Sequence, residues 1–231
     1  MRICGLNKTT LLDYPGKVAA TVFLGGCNFR CPFCQNGSLV LAPQEEPEIQ
    51  LEKLWTFLEK RRGILDGVCV TGGEPTLSPQ LPELLEKIKE LGYLVKLDTN
   101  GSNPEVVDEL LKKRLVDYIA MDVKTSKEEY KKVAGTESVN IEKICQSVEM
   151  IMDRAPDYEF RTTVVKELHG KEDFESMGEW LSGAKVCYLQ AYRDSEGVIR
   201  PGFSSYTKED LEEFADILRR TIPLVQIRGL D

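Results

Sequence analysis

A regular alternation of short apolar runs and amphipathic stretches constrains the fold of this chain more than any other feature. Six runs have the length and the β-branched content of buried strands, and each is followed by a stretch with helical spacing. The predicted strands are Val18–Leu24, Gly67–Thr71, Leu94–Thr99, Tyr118–Asp122, Tyr158–Val165 and Lys185–Gln190. The predicted helices lie near Leu51–Arg62, Pro79–Leu91, Pro104–Lys113, Ile141–Met152, Glu172–Leu181 and Lys208–Thr221.

One of these stretches shows the helical pattern clearly. Its apolar residues recur every three or four positions, which is typical of a helix with one buried face. They are Leu84, Leu85, Ile88 and Leu91. Ser78 and Pro79 are predicted to be the N-cap and the first residue of this helix.

Strands and helices in alternation indicate a mainly parallel sheet with right-handed crossovers. The residues alone leave two arrangements open, an open doubly wound sheet and a barrel with fewer than eight units. In either arrangement ligands bind at the carboxyl ends of the strands.

The charge balance narrows the class of partner. The 231 residues include 30 Lys and Arg against 38 Asp and Glu, a formal net charge of −8. This argues against binding to nucleic acid or to an acidic membrane, since both need a basic surface. The first residues show no secretory signal pattern, so we expect a cytoplasmic protein with one domain over residues 1–231.

Three cysteines lie close together in a loop after the first predicted strand. Cys27, Cys31 and Cys34 are spaced C-x₃-C-x₂-C within residues 25–36, and two glycines precede them. Three local thiolates predict a [4Fe–4S] cluster in which one iron stays open for a cofactor or substrate. The other interpretation is a structural zinc site. Its fourth ligand would come from Cys4, Cys69, Cys145, Cys187 or His169.

The cysteine spacing resembles the signature of the radical S-adenosylmethionine (SAM) superfamily, and other strand ends carry further matching motifs. Gly72-Gly73-Glu74-Pro75 resembles the GGEP motif, Asp98-Thr99-Asn100-Gly101 the DTNG motif, and Asp122–Lys124 the D-x-K motif. The segment Arg161–Val165 resembles the strand that reaches the carboxylate and adenine side of SAM. The resemblance therefore implies cofactor contacts from Phe33, Gly72, Gly73, Glu74, Asp98, Thr99, Asn100, Asp122, Lys124, Arg161 and Thr163.

The resemblance has consequences for fold and cofactors. It implies a single-domain partial (β/α)6 barrel of mainly parallel strands, an α/β fold. Cys27, Cys31 and Cys34 would hold the [4Fe–4S] cluster, and its open iron would chelate the methionine part of SAM. It also implies a monovalent cation shared by Asp98 and Thr99 with Asp122. Phe33 would pack near the adenine.

Similarity over nearly the whole chain points to one subgroup, the anaerobic ribonucleoside-triphosphate reductase activating proteins. The matching segments include Leu11–Lys17, Leu65–Gly67, Gly72–Leu77, Lys96–Pro104, Tyr158–Thr163 and Ile227–Gly229. The resemblance implies reductive cleavage of SAM to a 5′-deoxyadenosyl radical, which takes a hydrogen atom from a glycine of the partner reductase. An electron donor such as flavodoxin or ferredoxin would supply the electron.

Two alternatives stay open at this point. One is a radical SAM enzyme that acts on a small metabolite or a peptide. The other is a zinc-stabilised or electron-transfer protein without catalysis of its own.

Several residues are predicted to lie outside the chemistry or at its edge. Cys69, Cys145 and Cys187 are expected to be small buried apolar residues. His169 lies in a polar stretch and is expected to be exposed, while Tyr192 and Arg193 are candidates for the mouth of the site. The chain also lacks the additional C-x₂-C-x₂-C-x₃-C runs of activases that carry a ferredoxin-like insertion.

Overall fold

The computed structural model describes residues 1–230 and places eight strands in one sheet, in the order of the chain. The strands are β1 (Ile3–Thr10), β2 (Ala19–Leu24), β3 (Gly67–Gly72), β4 (Leu94–Thr99), β5 (Tyr118–Asp122), β6 (Tyr158–Val164), β7 (Val186–Ala191) and β8 (Leu224–Arg228). β1 runs antiparallel to β2, and every other neighbouring pair is parallel. The sheet does not close on itself, and this confirms an α/β partial barrel.

Helices follow most of the parallel strands. They are α1 (Gly37–Leu41), α2 (Leu51–Lys60), α3 (Leu81–Glu90), α4 (Pro104–Lys112), α5 (Tyr130–Ala134), α6 (Ile141–Arg154), α7 (Lys171–Trp180) and α8 (Lys208–Leu218). The six predicted strand–helix units are all confirmed, and β1 and β8 are two strands that the predictions lacked. The antiparallel β1 extends the sheet at one edge, and β8 extends it at the other.

The predicted start of α3 was wrong by two residues. The helix begins at Leu81 with Gln80 as N-cap, and its first-turn proline is Pro82 rather than Pro79. Ser78 instead ends the short 3₁₀ turn Pro75–Leu77, where its N–H donates to the Pro75 carbonyl at 3.0 Å. That turn follows β3 directly and uses the residues that a longer helix would need.

Alternation along the strands separates the apolar core from a polar concave face. In β4, Val95 and Leu97 belong to the main core, whereas Lys96 and Asp98 point to the opposite face of the sheet. A small apolar cluster of Tyr14, Ala19, Tyr118 and Ala120 lies on this face at the amino ends of β2 and β5. At the carboxyl ends of the strands, the side chains on this concave face are mainly polar. No helix within residues 1–230 is long and apolar enough to cross a membrane.

Candidate active site

A cavity of about 370 Å³ lies at the carboxyl ends of the strands, against the loop that follows β2. This volume falls in the usual range for small-molecule sites, about 300–1,000 Å³. The predicted residues that line it are Cys27, Cys31, Phe33, Cys34, Gly72, Gly73, Asp98, Thr99, Asn100, Asp122, Lys124, Arg161 and Thr163. Among the residues predicted to hold the cluster or contact the cofactor, Glu74 alone does not line this cavity.

The three cysteines of the loop after β2 all line the cavity. Cys31 is buried, and Cys27 and Cys34 are partly buried. Burial raises the pKa of the Cys27 thiol to about 11 and that of Cys31 to about 12, because it penalises the thiolate. Both thiols are therefore protonated at neutral pH until a metal displaces the proton. The Cys27 sulfur already accepts a hydrogen bond of 3.3 Å from the Phe29 N–H.

Two neighbouring segments hold the cysteine loop in place. The Arg30 N–H donates to the Ala134 carbonyl at 2.8 Å, which ties the loop to the end of α5. From the other side, the Ile199 N–H donates to the Cys34 carbonyl at 3.1 Å. The segment around Ile199 carries no motif that sequence reasoning could have used. Its role depends on packing between distant parts of the chain.

The glycines after β3 are required by a close approach of backbones. Gly72 has a φ of +123°, a conformation that favours glycine. A Cβ on Gly73 would lie 1.9 Å from the Gly26 carbonyl oxygen. The Glu74 N–H donates to the same oxygen at 2.8 Å. These contacts bring the end of β3 directly against the start of the cysteine loop.

Glu74 joins two strand ends rather than lining the cavity. Its side chain is buried, and its Oε1 accepts hydrogen bonds from the Thr76 N–H at 3.1 Å and from the Thr99 hydroxyl at 2.8 Å. Its Oε2 accepts from the Asn100 N–H at 2.6 Å. Burial raises the pKa of this carboxyl, although the hydrogen bonds oppose the shift. Both oxygens of the Glu74 carboxylate thus accept hydrogen bonds from the protein itself. A direct contact between Glu74 and the cofactor stays a prediction.

Charged side chains at the carboxyl ends of β4, β5 and β6 form a partly buried network that lines the cavity. Arg161 Nε donates to Asp122 at 3.0 Å, and its NH1 lies 3.2 Å from Asp98. Lys124 Nζ donates to the other Asp122 oxygen at 3.2 Å. Burial alone would raise the pKa of Asp122, but Arg161 and Lys124 lower it to about 2. Burial likewise opposes ionisation of Asp98, but Arg161 and Lys96 lower its pKa, so both carboxylates are ionised at neutral pH.

Sequence reasoning missed Lys96, a buried lysine in this network. Its side chain is 1% exposed and contacts Asp98, which lies two residues further along the same face of β4. Lys96 Nζ is also 3.8 Å from the sulfur of Cys69. Cys69 is buried as predicted, but its environment is polar, because its sulfur lies 3.6 Å from Asp98 Oδ1. The alternation of β4 was the signal that could have placed Lys96 beside Asp98.

Of the other two cysteines that were predicted to be buried, one is buried and one is only partly buried. Cys187 is fully buried in the main core, as predicted. Cys145 is only partly buried on α6, so the prediction that it is a buried apolar residue was wrong.

The prediction that His169 is exposed was also wrong. The residue is buried, and its ring packs edge-on against Phe33 with the ring centroids 6.3 Å apart. Its Nδ1 accepts from the Val165 N–H at 3.1 Å, and its Nε2 lies 2.8 Å from the Lys124 carbonyl. Both ring nitrogens are thus used by backbone groups, which argues against His169 as a zinc ligand. Burial lowers the pKa of the imidazole.

The expected mouth residues do not lie on the cavity. Tyr192 is buried, and its hydroxyl donates to Asp194 at 2.9 Å. Arg193 does not line the cavity either, and its guanidinium donates to the Gly229 carbonyl. The side chains that line it without having been predicted include Asp13, Thr21, Phe23, Gln35, Asn36 and Gln190.

The chemistry of the donor set fits an iron–sulfur cluster. Within residues 1–230 no group of three or more His, Cys, Asp and Glu side chains converges as a single metal ion would require. A [4Fe–4S] cube carries its thiolates on separate irons. Cys27, Cys31 and Cys34 line one cavity, and three thiolates at one site suit a cube that keeps one iron open.

The amino-acid sequence of this chain is similar to a known protein family and to a protein of similar length. Residues 21–181 match the Radical SAM superfamily. A protein of Methanocaldococcus jannaschii, provisionally named a glycyl-radical enzyme activating enzyme, is 30% identical over 99% of this chain and 96% of its own length.

Solved structures share the fold at lower identity. A domain of a pyruvate-formate lyase-activating enzyme from Bacteroides vulgatus superposes with a TM-score of 0.57 at 21% identity, covering 71% of this chain and 99% of that one. Streptococcus suis SuiB bound to S-adenosylmethionine gives a TM-score of 0.68 at 17% identity, covering 90% of this chain and 52% of that one.

Proposed function

The chain belongs to the radical SAM superfamily, within its glycyl-radical enzyme activating enzymes, and from this premise we propose that it activates an anaerobic ribonucleoside-triphosphate reductase. The observation that carries the proposal is the shared cavity. Three cysteines and a charged network from β4, β5 and β6 line the same space of about 370 Å³. When bound there, a [4Fe–4S] cluster and SAM would together supply a 5′-deoxyadenosyl radical able to remove a hydrogen atom from a glycine Cα.

Different side chains of the cavity would bind the cluster and SAM. Cys27, Cys31 and Cys34 would ligate the cluster through their sulfurs. Arg161 and Lys124 are the cavity-lining cations, and both are fixed by ion pairs to Asp122. They would attract the carboxylate of SAM.

Backbone and aromatic groups would orient the rest of the cofactor. Gly72 and Gly73 present backbone without side chains at the cavity wall, which suits a polar contact with an amino group. The ring of Phe33 lines the same cavity and is held in place by His169 and its backbone hydrogen bonds. Phe33 would offer the adenine an apolar surface that excludes water.

A monovalent cation shared by Asp98, Thr99 and Asp122 is part of the proposal. Arg161 already lies between the two carboxylates, so a cation would bind to the oxygen lone pairs that Arg161 leaves free. The binding of SAM in sodium, potassium and choline chloride at equal ionic strength tests this. Tighter binding in one alkali salt supports the cation, and equal binding in all three contradicts it.

The reductase is tested by its radical signal. The protein, loaded with its cluster and reduced in the presence of SAM, is incubated with the candidate reductase under anaerobic conditions. We expect a glycine-centred doublet in the electron paramagnetic resonance spectrum, which a glycine-to-alanine variant of the partner should not give. Cleavage of SAM without any doublet would contradict this partner and favour an enzyme acting on a small metabolite or a peptide.

The electron donor is proposed by class. A low-potential flavodoxin or ferredoxin would deliver one electron for each SAM cleaved. Replacing dithionite by each purified donor in its reduced form and following the formation of 5′-deoxyadenosine distinguishes the two. A donor that supports no cleavage, although dithionite does, is not the reductant.

A further inference from the structure

Arg228, in the last strand of the chain, pairs with Glu159, a buried carboxylate beside the charged network. Its two terminal nitrogens donate to both oxygens of Glu159 at 3.1 and 3.0 Å. Its guanidinium carbon lies 3.2 Å from the centre of the Tyr188 ring, which stacks against it. Neither Arg228 nor Glu159 lines the cavity. An effect of this ion pair on the site therefore passes through a neighbouring residue.

That neighbour is Arg161. Glu159 lies two residues before Arg161 on β6, so the two side chains share one face of the sheet. The Glu159 side chain is 1% exposed, and its Oε1 is 3.9 Å from Arg161 NH1. The nearer Arg161 partners are Asp122 at 3.0 Å and Asp98 at 3.2 Å. Three carboxylates thus surround one guanidinium.

A buried carboxylate without a cation is strongly unfavourable. Tyr118 supplies one neutral hydrogen bond to Glu159, at 3.0 Å, but Arg228 supplies the charge. Without Arg228, the closest cation to Glu159 would be Arg161. A shift of Arg161 toward Glu159 would withdraw it from Asp98 and Asp122.

We propose that Arg228 is a positioning residue: by pairing with Glu159 it leaves Arg161 bound to Asp98 and Asp122, facing the cavity. The inference rests on the proposed function, since it assumes that Arg161 attracts the carboxylate of SAM. It gives the last strand a role in cofactor binding although β8 lies at the edge of the sheet.

The test compares SAM affinity in the wild type, Arg228→Ala and the double variant Glu159→Gln/Arg228→Ala. Equilibrium dialysis of labelled SAM against the cluster-loaded proteins gives each Kd. We expect Arg228→Ala to weaken binding about tenfold, within the 5- to 150-fold range of typical coupling between sites. The double variant should return to within about threefold of the wild type, because the competing charge is gone.

A structural role for the ion pair would give a different pattern. The double variant would then bind SAM as weakly as the single variant, and this result would overturn the inference, as would an unchanged Kd in Arg228→Ala. Arg154→Ala, which removes an exterior ion pair with Asp108 at 2.6 Å, is the matched control and should leave the Kd unchanged.

Two further outcomes keep the inference testable. If Arg228→Ala does not fold, Glu159→Gln alone should keep the wild-type affinity, since Arg228 is partly exposed and stacks on Tyr188. A loss of more than about threefold in Glu159→Gln would overturn the positioning role. A wild type that binds no SAM would instead overturn the proposed function itself, together with the inference that depends on it.

Discussion

The carboxylate of Glu74 accepts a hydrogen bond of 2.6 Å from the backbone N–H of Asn100, and this bond joins the end of β3 to the end of β4. The same carboxylate also accepts from Thr76 and Thr99. Glu74 thus fixes the relative position of two motifs that line the cavity. These three hydrogen bonds give Glu74 a structural role, and its predicted contact with the cofactor stays a prediction.

Replacing Glu74 should therefore lower the stability of the protein before any cofactor is bound. Glu74→Gln keeps the shape but offers one acceptor oxygen instead of two, and we expect a loss of about 1–3 kcal/mol in the free energy of unfolding. Urea unfolding of the cluster-free protein measures it. Glu86→Gln on the exposed face of α3 is the control and should change stability by less than about 0.5 kcal/mol. Equal midpoints for the two variants would contradict the joining role.

Acid should weaken the fold through Asp122. Its pKa is about 2 in the folded protein, against an ordinary value of 3.8, because Arg161 and Lys124 outweigh the effect of burial. A lowered pKa means that the ionised group stabilises the native state above pH 3.8, and this stabilisation is lost as the pH falls toward 2. The side chain is 33% exposed, so we expect about 1–2 kcal/mol after solvent screening.

The variant Asp122→Asn isolates this contribution. Its stability, measured by urea unfolding between pH 5 and pH 2, should fall less steeply than that of the wild type. The exposed Asp153→Asn on α6 serves as the control and should follow the wild-type curve. Parallel curves for Asp122→Asn and the wild type would show that Asp122 has no such role.

Much of this fold could be predicted because its central strands are short, β-branched and buried on both sides. β4 and β5 have the bounds that the sequence predicted, Leu94–Thr99 and Tyr118–Asp122. β1 was missed because Ile3–Thr10 contains glycine and a polar, exposed middle, as expected of an edge strand. β8 was missed because its five residues carry two exposed positions and only one buried position.

The site was predictable where a motif follows a strand and unpredictable where packing decides. Asp98 lies one residue before the end of β4 and Asp122 is the last residue of β5, and topology alone brings them to one edge of the sheet. His169, by contrast, lies in a polar stretch, and only the tertiary fold buries its ring against Phe33. Asp13 reaches the cavity from the loop between β1 and β2, where its carboxylate accepts from the Thr21 hydroxyl at 2.5 Å.

A methyl group at Gly73 should disrupt the cysteine loop. The new Cβ would lie 1.9 Å from the Gly26 carbonyl oxygen, so one of the two backbones must move. We expect Gly73→Ala to lose most of its capacity to assemble a cluster, measured as iron and acid-labile sulfide per chain after anaerobic reconstitution. Gly170→Ala is the control, since its Cβ would meet nothing closer than 3.9 Å. Full iron loading of Gly73→Ala would contradict the required close approach.

The cysteines give the most direct prediction, because burial and position separate ligands from core residues. Cys31 lines the cavity, whereas Cys187 is buried in the main core, and burial raises the pKa of both thiols to about 12. Elevated pKa therefore does not distinguish them, and access to the cavity does. We expect Cys31→Ala to hold little iron and to form no 5′-deoxyadenosine, since two thiolates do not retain the cube.

The same substitution in the core should leave the chemistry intact. Cys187→Ala creates a small cavity and should cost about 1 kcal/mol of stability, with iron content and SAM cleavage unchanged. Iron and sulfide analysis, absorbance near 400 nm and product chromatography compare the two variants under one protocol. A wild type that is loaded with zinc and regains no iron–sulfur absorbance on reconstitution would favour the structural zinc interpretation. Undiminished 5′-deoxyadenosine from Cys31→Ala would remove Cys31 from the ligand set, and the cavity would need another third ligand.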